Sequence, residues 1–553
     1  MCGIWAIFGY GKEVEIQCAC CLRIAHRGPD SFRFESIQQV PNCSFGFHRL
    51  AIMDAQFGMQ PMRIWTIPHL WLMYNGEIYN SELLKKEFDL PYMTKCDGES
   101  ILHLYAHGGI DFAAKHLDGV FAFVLLDVKE QKVFVGRDLY GVRPCFRTVT
   151  PAGVLAVSSE GKGLVDLFQN GPSPKINIEP FPPGVIETYD LTPSGTVTLS
   201  SSNRYQEIGQ PPIYKTLAVI KEDEDVLSKV RTLLTAAVKK RLMSERRIGC
   251  LLSGGLDSSL TAALATKLLR EEGAPYNVQT FAIGMPNSTD ITAARKVADH
   301  IHSEHHEVIF TPEEGIGALD EVIYHLETYD ITTIRASVGM YLVSKYINQN
   351  TDSVVILSGE GADEVAQGYI YFHKAPSGEE ADAESRRLLA DLYMYDNLRG
   401  DRTTAAHGLE LRVPFLDHEF TSFYLSLPEP DRQPTEDSEK YLIRKAFDET
   451  DLIPSDILWR PKEAFSDGVS SAKRSWYEIL KDHIEEKVSD EQLSGAADEY
   501  PFNTPLTKEA YYYRQTFEKY FRGHSAWIPY MWMPKWMEGV TDPSARALKH
   551  YKQ

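Results

Sequence analysis

Along this chain the spacing of apolar residues changes character near residue 226. Before that point the apolar stretches are short and continuous. Residues 3–9 form a run bounded by glycines and predict a buried strand. Residues 70–74 and 120–127 predict two more, and Arg49 closes another. Between them lie polar clusters rich in Gly, Pro, Asn and Asp, the pattern of many short strands joined by turns. From residue 226 the spacing is helical, with Val226, Val230, Leu233, Leu234, Ala237, Val238 and Leu242 on one face. Strands and helices then alternate. Strands are predicted at 248–252, 278–283, 306–310 and 354–357. Helices are predicted from 260, over 291–301, along a long stretch after 310, and through Leu388, Leu392, Tyr395 and Leu398. Such alternation predicts a parallel, doubly wound sheet with ligands at the carboxyl ends of its strands. The proline-rich stretch 172–183 is expected to run over the surface, and 200–225 is mixed and polar. The expected division is a first domain at 2–190, a linker at 191–225, a second domain at 226–537 and a polar tail at 538–553. The acidic stretch 222–225 reads as a solvated helix start, and 379–384 as an exposed helix or loop.

The stretch on which the second domain turns is 251–259, reading LLSGGLDSS. It joins a buried strand to a helix through a tight turn of Ser253, Gly254, Gly255, Leu256, Asp257, Ser258 and Ser259. Strand, Gly-rich turn and helix N-terminus make an anion site, because backbone N–H groups and the helix dipole face the ligand. The chain has no G-x-x-x-x-G-K-[ST] sequence, so this is a different phosphate loop from Walker A. It carries an acid, Asp257, and no lysine. A carboxylate beside phosphate requires a bridging cation, and Mg²⁺ is implied. A plain Ser/Gly surface turn is the alternative, but such turns seldom follow a buried strand so closely. A second Gly-rich turn, SGEGADE at 358–364, follows the predicted strand 354–357 and adds Glu360, Asp363 and Glu364. Two carboxylate-bearing turns at two strand ends could converge on one metal–pyrophosphate. The alternative for the second turn is a helix start with favourable acids.

Composition narrows the field. With 553 residues the chain exceeds one core. Its net charge of −20 makes it a poor binder of nucleic-acid backbone. Mean hydropathy is −0.28 and no apolar run approaches the length of a spanning helix, so no membrane role is expected. The start, MCGIWAIFGYGKEVE, lacks the features of a signal peptide, and a cytosolic location is expected. All eight cysteines fall at or before Cys250, so no disulfide framework is expected. Cys18 and Cys21 form a lone C-x-x-C without a second pair. His302, His305 and His306 have no matching ligands elsewhere and read as a solvated strand start. Trp527, Tyr530, Trp532 and Trp536, with Met531, Met533 and Met537, read as a layer capping the core.

Cys2 is the exception among the cysteines. If Met1 is removed, it carries a thiol of reference pKa about 8.5 and an α-amine of about 7.7–8.0. One residue would then hold both nucleophile and base. Alone it reads as an incidental cysteine. Its company is HRGPD at 26–30, HRLAIMD at 48–54, NGEIYN at 75–80, TKCDGE at 94–99, LDG at 117–119 and GRD at 136–138 with YGVRP at 140–144. Together these resemble the class II glutamine amidotransferase family over residues 2–189. The resemblance implies an αββα sandwich of antiparallel sheets with an N-terminal nucleophile. It implies Cys2 as that nucleophile, Asn75 and the Gly76 N–H as the oxyanion hole, and Arg49 on the glutamine carboxylate. Asp97 and Glu77 would hold its α-amine, and the backbone of Leu50, Ala51, Ile52 and Met53 would line the pocket.

The second half resembles the glutamine-hydrolysing asparagine synthetase family from the central loop to Trp536. ETYDITT at 327–333, RAS at 335–337, LRVPFLD at 411–417 and RPKEAF at 460–465 carry the likeness. That resemblance implies ATP, aspartate and glutamine as substrates and Mg²⁺ as the metal. Leu251 and Ile283 would contact the nucleotide, with Ser253, Gly254, Gly255, Asp257, Ser258, Ser358 and Gly359. Asp257 and Asp363 would hold the metal. Glu360 and Lys462 would serve adenylation, and Thr332 and Arg335 would line the aspartate or pyrophosphate site. The family also has an internal ammonia passage, whose lining no motif reveals. A homodimer is compatible with this reading. Two rivals remain open at this stage: an amidotransferase with a sugar-phosphate or phosphoribosyl acceptor, and a non-catalytic homologue that binds partners.

Overall fold

Strand β1 (Gly3–Phe8) is buried at every position, because no polar side chain interrupts it. A computed structural model of the protein describes residues 1–11, 13–167, 176–221, 223–462, 468–470, 474–537, 539–540 and 542–543. In it β1 lies inside a six-stranded antiparallel sheet. The order is β2 (Ser31–Ser36), β3 (Ser44–Arg49), β1, β8 (Leu155–Ser158), β7 (Phe146–Val149), β9 (Glu179–Pro180). A second antiparallel sheet runs β11 (Val197–Arg204), β10 (Val185–Leu191), β6 (Lys132–Arg137), β5 (Gly119–Asp127), β4 (Leu70–Ile78).

The alternation of side chains explains how these sheets stack. Trp71, Met73, Val124 and Leu126 point to one face and join Ile4, Ala6, Phe8, Phe45 and Phe47 of the first sheet in one core. Leu70, Leu72, Phe121, Phe123 and Leu125 point to the other face. There they meet Leu84 of α2 (Ser81–Glu87) and Ile101, Leu102 and Leu104 of α3 (Glu99–His116). Helix α1 (Val14–Leu22) packs on β3. The unit is therefore layered helix, sheet, sheet, helix. Both faces of β4 and β5 are buried, which is why these strands read as continuous apolar runs.

Two expectations about this unit change. Asn75, Gly76 and Glu77 do not follow a strand; they lie within β4, opposite Ala122, Phe121 and Val120. The linker expected at 191–225 begins inside the β10–β11 hairpin, and the first compact unit holds residues 1–216, 243–246 and 405–410. Strand β11 escaped notice because it is an edge strand whose residues are mostly exposed and polar.

The second unit holds residues 217–242, 247–404 and 411–553. Its sheet runs β14 (Glu304–Ile309), β13 (Gln279–Gly284), β12 (Arg247–Leu251), β15 (Ser353–Leu357), β16 (Glu410–Arg412). The first four of these are mutually parallel, as the alternation predicts. The chain enters at β12, winds outward through β13 and β14, and returns to the other side of β12 for β15. The carboxyl ends of β12 and β15 thus flank the switch point, where doubly wound sheets bind ligands. The helix Leu256–Glu271 packs on β12, while the helices Thr289–Ile301 and Ile331–Asn350 pack on β13. The single helix expected through Leu388–Leu398 is broken. Gly378–Asp391 and Asp396–Ala405 are separate, because Tyr395 leaves helical geometry at φ −125 and ψ −95. The stretch 379–384 is not wholly exposed: Glu384 is fully buried, accepting hydrogen bonds from Tyr371 and Arg387. Trp532, Trp536 and Met537 pack on Tyr371 and Phe372. Residues 172–175, Glu222, the 463–465 end of RPKEAF and most of the tail fall outside the described residues.

The LRVPFLD motif finds a structural use. Asp417 caps the helix His418–Ser426 by accepting from the Glu419 and Phe420 N–H groups. It also pairs with Lys240 at 2.6 Å and Arg241 at 2.8 Å, all buried. Burial alone would raise its pKa, but the two cations hold it down at about 2. Asp417→Asn should therefore cost about 3–5 kcal/mol by removing the one carboxylate that two buried cations share. A depressed carboxylate stabilises above its unfolded pKa of about 3.9. The stability gap between wild type and variant, measured by urea denaturation, should be full at neutral pH and close only as pH falls from about 4 towards 2.

Candidate active sites

In the first unit Cys2 stands at the head of β1, against the end of β3. Its Sγ accepts from the Leu50 N–H at 3.4 Å and lies 3.5 Å from the Leu50 carbonyl. Arg27 Nε donates to the Cys2 carbonyl at 3.0 Å, and the guanidinium is itself held by fully buried Glu160 at 2.6 Å. Burial raises the thiol pKa, and the adjacent N-terminal ammonium lowers it in part. That ammonium belongs to Met1. It donates to the Leu409 carbonyl at 3.3 Å, and burial depresses it to about 5. While Met1 is attached, the Cys2 nitrogen is an amide and cannot act as a base.

Asn75 carries the clearest sign of a ligand in this unit. Its side-chain Oδ1 and Nδ2 are both buried without a hydrogen-bond partner among the described residues. A buried polar group left unpaired costs about 1–3 kcal/mol, so an amide with neither end satisfied suits a site that receives a polar ligand. Glu77, two residues on, acts electrostatically on the Cys2 thiol. Arg49 is fixed by the carbonyls of Met53, Asp54 and Ala55. Asp97 accepts from Tyr74 Oη at 2.6 Å and from the Ile78 N–H at 2.5 Å. The Leu50–Met53 backbone is pinned by Asp30, which accepts from the Ala51 N–H, and by Glu245, whose N–H donates to the Ile52 carbonyl. Glu160 has no part in the sequence reading, and Arg27 and Tyr74 enter it only within HRGPD and the stretch 70–74, without a role of their own. Buried partners contributed by distant positions leave no spacing to detect.

In the second unit a cavity of about 300 Å³ opens at the ends of β12, β13 and β15. Apart from Gly254, every residue assigned to nucleotide, aspartate and metal lines it. Leu251, Ile283 and Met340 supply apolar wall. The loop after β12 is braced by its own serines: Ser258 Oγ lies 3.0 Å from Ser253 Oγ and accepts from the Ser253 N–H at 3.2 Å. The Gly254 carbonyl accepts from Arg460. The loops after β12 and β15 meet here. A Cβ on Gly359 would lie 2.7 Å from the Cβ of Asp257, so glycine is required at that approach.

Charge is concentrated on this meeting point. Lys462 pairs with Asp363 Oδ2 at 2.5 Å, and Lys440 lies 2.6 Å from Asp363 Oδ1. Burial pushes the Asp363 pKa up, but the two ammoniums reverse this and hold it well below the usual carboxylate range. Glu360 accepts from Arg399 at 2.5 Å. Burial raises its pKa, and Arg399 offsets part of the rise. Thr332 presents a buried Oγ1 without a hydrogen-bond partner among the described residues. Arg335 also lines the cavity, but its guanidinium binds Glu509 at 2.7 and 2.6 Å and Asp542 at 2.9 and 2.7 Å. Lys440 and Arg399 are among the site residues that sequence reasoning missed, and Arg460 enters it only within RPKEAF, without a role of its own. Lys440 lies in a polar stretch without a motif, and Arg399 on a helix of no marked pattern.

A Mg²⁺ ion fits the donor set. Asp257 and Asp363 provide hard carboxylate oxygens, and Asp257 Oδ1 is buried without a hydrogen-bond partner among the described residues.

An N-terminal-nucleophile layer structure followed by a phosphate-loop sheet defines an amidotransferase joined to a nucleotide-using synthetase. The comparisons agree. Residues 1–182 match the glutamine amidotransferase domain, and residues 229–388 and 376–544 match asparagine synthase. The chain is 59% identical to the glutamine-hydrolysing asparagine synthetase of Gallus gallus, and 58% identical to those of Homo sapiens and Bos taurus. Each alignment spans 558 residues and covers 100% of this chain and 99% of the relative. The chain belongs to the glutamine-hydrolysing asparagine synthetase family. No described helix is long and apolar enough to cross a membrane.

Proposed function

We propose that this protein makes asparagine from aspartate and ATP with glutamine as nitrogen donor, through an aspartyl-adenylate and an internally transferred ammonia. The observation that carries the synthetase half is the convergence of the loops after β12 and β15, which bring Asp257, Glu360, Asp363 and Lys462 to one cavity. A sugar-phosphate or phosphoribosyl acceptor would need no such ATP site.

In the first unit the Cys2 thiol attacks the glutamine side-chain amide. The C–N bond breaks, ammonia leaves, and water later releases glutamate from the thioester. Asn75 offers the unsatisfied amide that would take the oxyanion. Arg49 is placed for the substrate carboxylate, and Glu77 and Asp97 for its amine. In the second unit a side-chain carboxylate oxygen of aspartate attacks the α-phosphorus of ATP, and pyrophosphate leaves. Asp257 and Asp363 would hold Mg²⁺, which when bound offsets phosphate charge. Lys462 offers a further cation to the phosphates, and Thr332 a hydroxyl. Glu360, with its raised pKa, is suited to take a proton when ammonia attacks the acyl carbon and AMP departs. Ammonia in bulk water at neutral pH is mostly protonated and non-nucleophilic, so its transfer is read as sheltered from solvent. All eight cysteines are free thiols, in keeping with a reducing, cytosolic setting.

The test is pyrophosphate release on mixing the protein with aspartate and MgATP, with glutamine or ammonium supplied in turn. Stoichiometric pyrophosphate and asparagine are expected with either donor. Glutaminase activity without aspartate-dependent pyrophosphate would point to another acceptor, and neither activity to a binding protein.

A further inference from the structure

Lys440 combines three features unusual for a lysine. Its side chain is 2% exposed. Its backbone is left-handed, at φ 55 and ψ 32, where it precedes the helix Tyr441–Phe447. Its ammonium lies 2.5 Å from Asp257 Oδ2 and 2.6 Å from Asp363 Oδ1. It therefore bridges the two carboxylates assigned to the metal, one from each phosphate-side loop. Gly368 makes the room. A Cβ there would lie 2.0 Å from Lys440 Cε and 2.1 Å from Asp363 Oδ1.

The consequence follows from charge and space. Asp257, Asp363, Lys440 and Lys462 carry two negative and two positive charges, so the cluster is neutral as it stands. A Mg²⁺ ion demands oxygen contacts of about 2.0–2.1 Å. It cannot take both carboxylates while an ammonium holds hydrogen-bond distance to each. A bare divalent ion would have to drive a buried lysine off its partners and leave it without a counter-charge. A nucleoside triphosphate removes that obstacle, because its phosphate oxygens give Lys440 new partners as the metal takes the carboxylates.

We propose that Lys440 is a positioning residue that makes divalent-cation binding at Asp257 and Asp363 conditional on a nucleoside triphosphate. This rests on reading those two carboxylates as the metal ligands. Free metal is then excluded, and the cation enters as the metal–nucleotide complex. Lys440 orders the loops until then by holding them together across the switch point.

The test uses Mn²⁺ as the probe, with binding followed by electron paramagnetic resonance and calorimetry on the full chain without nucleotide. Lys440→Gln should bind Mn²⁺ at least about tenfold more tightly than wild type. Lys440→Arg keeps the cation and should resemble wild type. A merely structural lysine would give no gain in metal affinity on removal. If Lys440→Gln does not fold, Lys440→Met offers the second reading. It keeps an unbranched stem of similar length without the charge, and should show the same gain. Equal Mn²⁺ affinity in wild type and in either variant would overturn the proposal. Adding Asp257→Asn to Lys440→Gln should abolish the gained binding. If it persists undiminished, the metal assignment of Asp257 fails instead.

Discussion

Cys2→Ala should lose glutamine hydrolysis and glutamine-dependent asparagine formation by at least about 10³-fold, yet still make asparagine from ammonium. The thiol is needed only to take nitrogen from glutamine. Adenylation and the later attack of ammonia would draw on Asp257, Glu360, Asp363 and Lys462, which line a cavity wholly within the second compact unit. Alanine is small enough for the head of β1, where Cys2 packs beside the first core. Ammonium should be given at raised pH, where more free ammonia exists. The measurement is asparagine and pyrophosphate formed with each donor. Loss of both activities in a folded variant would make Cys2 structural. The same chemistry requires the N-terminus to be processed. The amine at Met1 is buried and depressed to about 5, and the Cys2 nitrogen is an amide until Met1 departs. Mass spectrometry of active protein should find Met1 missing. A fully glutamine-active enzyme retaining Met1 would sink the N-terminal-amine mechanism.

Asp257→Asn and Asp363→Asn should show the opposite pattern. Each should depress synthesis from either nitrogen donor by about 10²-fold or more, while glutaminase activity persists. Asp363 should be the more sensitive. It partners both Lys440 and Lys462, so its neutralisation removes the carboxylate that the two ammoniums share, whereas Asp257 partners Lys440 alone among the described ion pairs. Pyrophosphate and asparagine with each donor, and glutamate from glutamine, separate the outcomes. Normal synthesis by Asp257→Asn would overturn the reading of the loop after β12.

Most of the candidate site was legible in order along the chain. The LLSGGLDSS turn is a local object: strand, turn, acid and helix start are contiguous, so their geometry follows from neighbouring residues. The same holds for SGEGADE and for the alternating strands and helices that predict a doubly wound sheet. Cys2 was legible only in company with Asn75, Arg49 and Asp97, because a lone cysteine has no local signature. Where polar composition masked structure, as in β11, or where a turn broke an apparent helix, as at Tyr395, the pattern misled.

What the sequence determined by itself was the order of most elements, the two Gly-rich loops at strand ends, and the candidates for nucleophile and acids. Those depend on short-range periodicity and on residue chemistry. What only the tertiary structure decided was the pairing of charges across distance. Arg27 and Glu160 behind Cys2, Asp417 between Lys240 and Arg241, and Lys440 between Asp257 and Asp363 each join positions far apart in the chain. A buried charge must find a partner wherever the fold brings one, and sequence spacing does not record which one it finds.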